Sequence, residues 1–520
     1  MDAKAKPKKR IYVHLAGTSQ ADTKYPILPY ITKSVLNWRA VKTQDWDLCW
    51  TDTSVPSERL ASMKAYQKIN HFPGMFGISR KDFLARNLGK MRDVYSKEYA
   101  FFPRTWLIPT QLGAFKTYAS SKRCCYIVKP ESSSQGRGIY LIRSPSELHP
   151  GDRCIVQRYL THPLLLDGLK FDLRIYVLVT SCDPLRVYIH EEGLARLATE
   201  EYEEPDYENM EVACMHLTNY AVNKHNERFV QNADAENDEV GHKRSLASVF
   251  QRLEEQGHDI DGLWQEICNI VVKTLCCIQP NLAHLYKSAQ PDDTTSGMCF
   301  ELLGFDIILD SSLRPWLLEV NHSPSFTVDS PLDERVKVAV IGDALRMMGL
   351  NWERRKRMSK EKETRNWLGK SLAERRSERE ELAMAALEKK DQWENKHLGG
   401  YARIYPLGDR RKYEEYMDTA GKLWESWTCG RPKSSQFHSI VSSLVSRRPR
   451  TASAARVKAT DRPALERLYA GQGESPTRSR QLRPQSSEKG RREPVRVLKD
   501  LLEPDVLEES SSSLRPFRGL

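Results

Sequence analysis

Apolar residues in the first 350 positions fall into short runs that are separated by polar turns. Continuous or alternating β-branched runs predict strands at 126–128, 139–142, 154–156, 175–179 and 316–320. Periodic apolar positions between these runs predict helices at 245–255 and 262–277. Because many strands follow one another across short turns, we expect an α/β (α+β) fold with mainly antiparallel sheets.

The pattern changes after residue 350. Residues 352–396 predict one long helix with alternating charges and a thin apolar stripe, so we expect it to be largely solvated or to lie on a partner. After about residue 431, Ser, Pro and Arg dominate, and we expect disorder. The chain therefore combines a folded body with a basic extension and a tail.

Charge and cysteine content narrow the function classes. The 520 residues carry a formal net charge of +11, most of it after residue 350, which favours a polyanionic partner for the extension. No apolar stretch approaches the length of a membrane span, and the basic N-terminus leads into a strand-like run, so we expect neither a membrane partner nor a secretory signal. The 11 cysteines form no CxxC motif and predict reduced, buried thiols.

A Gly-containing loop, residues 129–138, joins two predicted strands. Gly136 and Gly138 allow the backbone N–H groups to approach phosphate oxygens, while Lys129 and Arg137 supply positive charge. Neither a Walker loop nor a Rossmann turn fits, because a strand rather than a helix follows. An ordinary glycine hairpin is the alternative.

A predicted hairpin carries three hard oxygen ligands. With its turn near Ser312, Asp306 falls opposite Glu319, and alternation puts Asn321 on the same face. Leu318 and Val320 are then expected to point into the core. Two adjacent carboxylates in an apolar hairpin predict a bound cation, and Mg²⁺ fits these ligands. The alternative is a polar solvent face.

A third charged element is the run Lys170-Phe171-Asp172-Leu173-Arg174. Alternation puts Lys170, Asp172 and Arg174 on one strand face, as expected for a ligand-lined groove. By itself the pattern also fits a solvated edge strand.

These elements, in this order, resemble the ATP-grasp core of the tubulin tyrosine ligase-like family, and most closely its polyglutamylases. The resemblance runs from about residue 30 to 350. One departure is Ser132-Ser133-Ser134, where relatives usually have Ser-Gly-Cys or a similar triplet. The matching motifs lie at 70–74, 81–82 with Asn87, 102–106, 129–130 with 135–139, 157–159, 170–174, 193–196, 216–220 and 318–325.

The resemblance implies an architecture and a reaction. It implies an N-terminal α/β domain (1–110), central and C-terminal ATP-grasp domains (111–350), a cationic helical microtubule-binding extension (351–430) and a disordered basic tail (431–520). It also implies an ATP-dependent carboxylate–amine ligase that phosphorylates the γ-carboxylate of a glutamate in a tubulin tail. The amino group of free L-glutamate then attacks the acyl phosphate.

The resemblance also implies roles for individual residues. Lys129, Arg174 and Glu319 are expected to be catalytic, with Arg174 beside the acyl phosphate, and Mg²⁺ is expected on Asp306, Glu319 and Asn321. The incoming glutamate is expected at Arg196, Tyr220, Lys243 and Lys337. The expected ATP site consists of Lys129, Gln135, Gly136, Gln157, Arg158, Tyr159, Leu160, Lys170, Phe171, Asp172, Thr218 and Asn219.

Other functions stay open at this point. A related ligase could add glycine or tyrosine, although several cations suit the second carboxylate of glutamate. A non-catalytic ATP-binding microtubule-associated protein would need a broken site, and the tail has few aromatic residues for a nucleic-acid binder. We expect a monomer that acts on microtubules in the cytoplasm and cytoskeleton, including the ciliary axoneme and basal body.

Overall fold

Three β-sheets organise the chain in the computed structural model. The structure describes residues 10–17, 22–131, 135–149, 151–232, 234, 239–351, 353, 355–356, 371–407 and 410–428. The expected disordered tail, the Ser132-Ser133-Ser134 triplet and most of the basic segment 357–370 lie outside these residues.

The N-terminal sheet is parallel, in the order β2-β1-β3-β4. Helical crossovers connect its strands, and this is why the antiparallel expectation is wrong for this sheet. Its strands are Tyr12–Ala16 (β1), Arg39–Ala40 (β2), Leu48–Thr51 (β3) and Lys68–Ile69 (β4). The helices of this region are Ile27–Pro29 (α1), continued by a π-helix at Tyr30–Val35, then Ser57–Ala61 (α2), Phe76–Ser79 (α3) and Lys81–Val94 (α4).

The second sheet is small and antiparallel, in the order β5-β8-β6-β7. One face packs on helix α5 through an aromatic cluster that includes Trp106, Phe115 and Tyr126. Its elements are Thr105–Ile108 (β5), Leu112–Ser121 (α5), Tyr126–Pro130 (β6), Tyr140–Ile142 (β7) and Cys154–Arg158 (β8). A short 3₁₀ turn, Pro145–Glu147, precedes β8.

The third sheet is large and antiparallel, and the long strand β10 is at its centre. This strand pairs with β9, β11, β12 and β14, and the β14–β15 hairpin extends the sheet. Its strands are Leu165–Leu166 (β9), Leu169–Cys182 (β10), Leu185–His190 (β11), Leu194–Glu201 (β12), Lys243–Ser245 (β13), Glu301–Leu309 (β14), Pro315–Asn321 (β15) and Tyr401–Tyr405 (β16). The antiparallel expectation is confirmed for this sheet and the small one.

Helices cover the large sheet, and apolar side chains of both form the two largest cores. The helix predicted at 262–277 runs over Ile260–Cys276 and buries ten residues. The helices are Ala213–His216 (α6), Tyr220–Asn223 (α7), Leu246–Glu255 (α8), Ile260–Cys276 (α9), Gln279–Ala289 (α10), Pro331–Met347 (α11), Leu372–Lys396 (α12) and Arg410–Thr428 (α13). No helix in the described part of the chain is long and apolar enough to cross a membrane.

The described part of the expected extension is joined to the body. Helix α12 is anchored by the fully buried Arg186, which pairs with Asp391 (2.6 Å) and Glu394 (2.7 Å). Strand β16 then pairs with β11, and helix α13 buries Tyr416 and Leu423 in the main core. The expectation of a largely solvated helix is therefore wrong for the second half of α12, because ion pairs rather than an apolar stripe bind it to the sheet.

Candidate active site

A cleft lies between the small sheet and the large sheet. Strands β6 and β8 provide one wall, and β10, β12, β14 and β15 provide the other. Most residues that the sequence predicts for ATP, metal and substrate line it together, namely Lys129, Gln135, Gly136, Gln157, Arg158, Tyr159, Leu160, Lys170, Asp172, Arg196, Thr218, Asn219, Asp306, Glu319 and Asn321.

The described end of the Gly-containing loop borders this cleft with a strained backbone. Gln135 has φ 62° and Gly136 has φ 81°, a conformation that favours glycine. A Cβ atom on Gly136 would lie 2.7 Å from Val222 Cγ2 and 3.2 Å from Asn219 Oδ1. Position 136 therefore needs glycine, both for its conformation and for the close approach of Asn219.

Two buried lysines face the cleft from its opposite walls. Lys129 Nζ donates to Gln157 Oε1 (2.8 Å), and burial lowers the pKa of Lys129 to about 8. Lys170 Nζ donates to Tyr159 Oη and to the His216 carbonyl, both at 2.8 Å, and burial lowers the pKa of Lys170 to about 7. A bound phosphate would favour the charged form of both groups.

The carboxylate hairpin has the predicted register at its centre. Asp306 is paired with Glu319 across β14 and β15, and Asn321 Nδ2 lies 3.4 Å from Asp306 Oδ2 and 3.4 Å from Glu319 Oε1. The expectation for Leu318 is wrong, because a β-bulge follows the Asp306–Glu319 pair and turns Leu318 into the cleft. Val320 is buried in the core, as predicted.

Two arginines neutralise the buried acids of β10 and β14. Arg174 donates to both oxygens of Asp306, at 2.6 and 3.1 Å, and Arg196 pairs with Asp306 (2.8 Å) and with Asp172. Burial opposes ionisation, but these charges hold the pKa of Asp306 well below its usual range. By contrast, burial and the nearby Asp306 raise the pKa of Glu319.

The donor set fits a hard divalent cation. No group of three or more His, Cys, Asp and Glu side chains within the described ranges is arranged for a metal, because this set has two carboxylates and one amide. The raised pKa of Glu319 reports the repulsion between it and Asp306, and a cation between the two would relieve that repulsion. Asp306, Glu319 and Asn321 would hold Mg²⁺ through oxygen atoms.

A second charged cluster adjoins Arg196. Arg196 is paired across β12 and β13 with Lys243. Lys243 Nζ lies 2.6 Å from Asp333 Oδ2 and 4.0 Å from the ring centre of Tyr220, and Lys337 Nζ lies 2.7 Å from Asp333 Oδ1. Three of the four residues predicted for glutamate (Tyr220, Lys243 and Lys337) thus surround a buried carboxylate next to the cleft.

Some expectations differ from what the cleft contains. Phe171 is buried in the core, on the strand face opposite Lys170, and Arg174 lies behind Asp306 rather than in the lining. Lys81, in the motif at 81–82, lines the cleft, although the sequence gave it no role. Asp333 was also missed; its only sequence signal is a position in the first turn of α11, where Ser330 caps the helix.

The fold and the cleft define a class of protein, and sequence comparison gives its family. Two antiparallel sheets that enclose lysines, a glycine turn and a carboxylate hairpin make an ATP-grasp-like nucleotide site. Residues 59–357 match the tubulin-tyrosine ligase family, and the chain belongs to this family of ATP-grasp-like ligases.

Curated relatives are similar over most of this chain. It is 49% identical over 420 residues to a "Probable beta-tubulin polyglutamylase" of Tetrahymena thermophila, covering 78% of this chain and 35% of the relative. It is 47% identical over 398 residues to mouse "Tubulin polyglutamylase TTLL13" (75% and 49%) and 41% identical over 446 residues to mouse "Tubulin polyglutamylase TTLL6" (85% and 53%). The chain thus spans between about a third and a half of these relatives' lengths.

Proposed function

We propose that this chain is a tubulin polyglutamylase, which uses ATP to ligate free L-glutamate onto γ-carboxylates in tubulin C-terminal tails. Membership of the ligase family and the names of the relatives support this function. The observation that carries the proposal is the single cleft in which Lys129, Glu319 and Arg196 meet.

Residues of the nucleotide half bind and activate. Lys129 and the turn at Gln135 and Gly136 hold phosphate oxygens, and the other wall, at Lys170 and Asp172, holds the nucleoside. Mg²⁺ on Asp306, Glu319 and Asn321 supplies charge neutralisation when it is bound. Arg174, held against Asp306, provides fixed positive charge beside the carboxylate that is activated.

Residues of the other half select the amino acid. Arg196 joins the two halves, because it contacts Asp172 and Asp306 and is paired across the sheet with Lys243. Lys243 and Lys337, with one shared counter-ion in Asp333, leave an excess positive charge for a substrate carboxylate. Glycine and tyrosine lack the second carboxylate, so glutamate is the substrate that this pocket favours.

We also propose that basic residues of the segment 351–376 approach the acidic microtubule surface, which would put the protein on the cytoskeleton, including axonemes. Arg355 is not suited to a test, because its guanidinium lies 2.5 Å from Asp45 and stacks on Tyr66. Truncation after residue 350 is not suited either, because it removes β16 and α13 from the body.

Stoichiometry tests the proposal. Purified full-length protein is incubated with ATP, Mg²⁺, microtubules and isotopically labelled glutamate, and ADP, phosphate and tail-bound label are quantified. We expect one ATP cleaved for each glutamate added, and no label without ATP. Label incorporation without ATP, or ATP cleavage without incorporation, would contradict the proposal.

A further inference from the structure

Three arginines from separate elements gather along residues 100–104, at the rim of the cleft. Arg314, in the turn between β14 and β15, donates from Nη2 to the Ala100 carbonyl (3.0 Å). Arg92, on α4, donates from Nη1 to the Phe102 carbonyl (3.1 Å). Arg104 follows two residues later in the same segment. The fold therefore concentrates three guanidinium groups on one short piece of backbone.

Aromatic rings and backbone contacts fix this cluster and connect it to the cleft. The Arg104 guanidinium lies 4.9 Å from the ring centre of Tyr118, and that of Arg314 lies 4.4 Å from Trp316. Such stacking orients a planar guanidinium. The exposed Arg158, which lines the cleft, donates its backbone N–H to the Arg104 carbonyl (2.8 Å). The four arginines therefore extend the cleft along its rim.

These charges have no counter-ions among the described residues. No carboxylate oxygen there lies within 4.0 Å of Arg92, Arg104, Arg158 or Arg314. The nearby Asp310 instead accepts from backbone N–H groups and from the Trp316 indole. Burial and the charges of Arg104 and Arg314 lower the pKa of Arg92. Uncompensated guanidinium groups in fixed positions favour an anionic ligand.

We propose that Arg92, Arg104, Arg158 and Arg314 form a docking surface for an acidic, glutamate-rich peptide segment of the acceptor protein. The inference rests on the proposed function, which requires such a segment to reach the cleft. Planar guanidinium groups match carboxylates in paired hydrogen bonds. A nucleic acid would need free aromatic faces for its bases, whereas Tyr118 and Trp316 are covered by arginines.

The test compares long and short acceptors on the full-length protein. In the double variant Arg104→Gln/Arg314→Gln, we expect the KM for a long glutamate-rich peptide to rise roughly fivefold, since each exposed pair contributes little. The KM for a glutamyl tripeptide, the KM for ATP and kcat should stay unchanged. The difference should shrink as salt screens the charges.

A matched variant, Lys33→Gln/Arg39→Gln, removes the same charge from exposed positions of the N-terminal region. An unchanged KM for the long peptide, an equal rise for the tripeptide, or an equal rise in the matched variant would each overturn the docking surface. If the wild type ligates no glutamate, the proposed function fails. Fluorescence anisotropy of the labelled long peptide still tests the surface, which weaker binding by the double variant supports. Tighter binding of an equally charged RNA oligonucleotide overturns it.

Discussion

The carboxylate hairpin and the lysine pair lie on either side of Arg196, yet they are built in different ways. The hairpin takes Asp306, Glu319 and Asn321 from two adjacent strands of one sheet. The other cluster joins Lys243 on a strand with Lys337 on a helix, through the buried Asp333.

The two clusters also differ in charge. In the hairpin, Glu319 and Asp306 raise each other's cost of ionisation, and arginines compensate only part of it. In the lysine pair, a carboxylate keeps two cations together. The first arrangement suits a cation and the second suits an anion, so one cleft can handle a metal–nucleotide complex and a dicarboxylic amino acid at its two ends.

The largest expected effect comes from Glu319→Gln, which keeps the side-chain shape and removes one charge of the proposed metal site. Ligase turnover should fall by roughly 100-fold or more, while the thermal unfolding midpoint stays near that of the wild type. Turnover is measured with microtubules, ATP and labelled glutamate. The exposed Glu381→Gln on α12 is the matched control, and near-normal turnover of Glu319→Gln would remove the metal assignment.

Arg196→Ala tests whether the two clusters are joined. The substitution leaves Asp172 and part of Asp306 without their partner, and breaking a buried ion pair costs about 3–5 kcal/mol of stability. We expect weaker use of both ATP and glutamate, together with a lower free energy of unfolding in urea. A variant with normal ATP affinity and impaired glutamate use would assign Arg196 to the amino-acid end alone.

Asp333→Asn tests the lysine pair by itself. Burial lowers the pKa of Lys243, and Asp333 opposes this shift. Without Asp333 the pKa falls further, so Lys243 loses its proton at lower pH. The KM for glutamate should rise about tenfold, more at higher pH, while the KM for ATP changes little. Asp418→Asn on α13 is the control, and an unchanged glutamate KM would contradict a role for Asp333.

The smallest effect is a proton uptake at the nucleotide end. The pKa of Lys170 is about 7 and that of Lys129 is about 8, so both are partly neutral near pH 8. Bound phosphates favour the charged forms and raise both pKa values. ATP binding near pH 8 should therefore take up on the order of one proton, measured by calorimetry in buffers of different ionisation enthalpy. Proton release would contradict this assignment.

The strand-built parts of the site could be predicted from the sequence. The Asp306–Glu319 register follows from the turn position, and alternation along β10 separates Lys170 and Asp172 from the buried Phe171. Leu318 could not be predicted this way, because one extra residue in a bulge interrupts the alternation.

Parts that depend on distant segments were beyond the sequence pattern. Asp333 meets Lys243 only through folding, and β16 pairs with β11 across more than two hundred residues of sequence. One local signal was present but missed. Ser371 and Glu374 form a capping box that starts α12. The ion pairs of Arg186 then explain why such a polar helix is buried at its C-terminal end.

The most direct test of the account is the intact mass of a glutamate-rich acceptor peptide after incubation with wild-type protein, ATP, Mg²⁺ and an equimolar mixture of glutamate, glycine and tyrosine. We predict mass increments of glutamate alone, which disappear in Glu319→Gln and need more glutamate in Asp333→Asn. Increments of glycine or tyrosine, or equal modification by Glu319→Gln, would contradict a glutamate ligase whose two ends divide the work in this way.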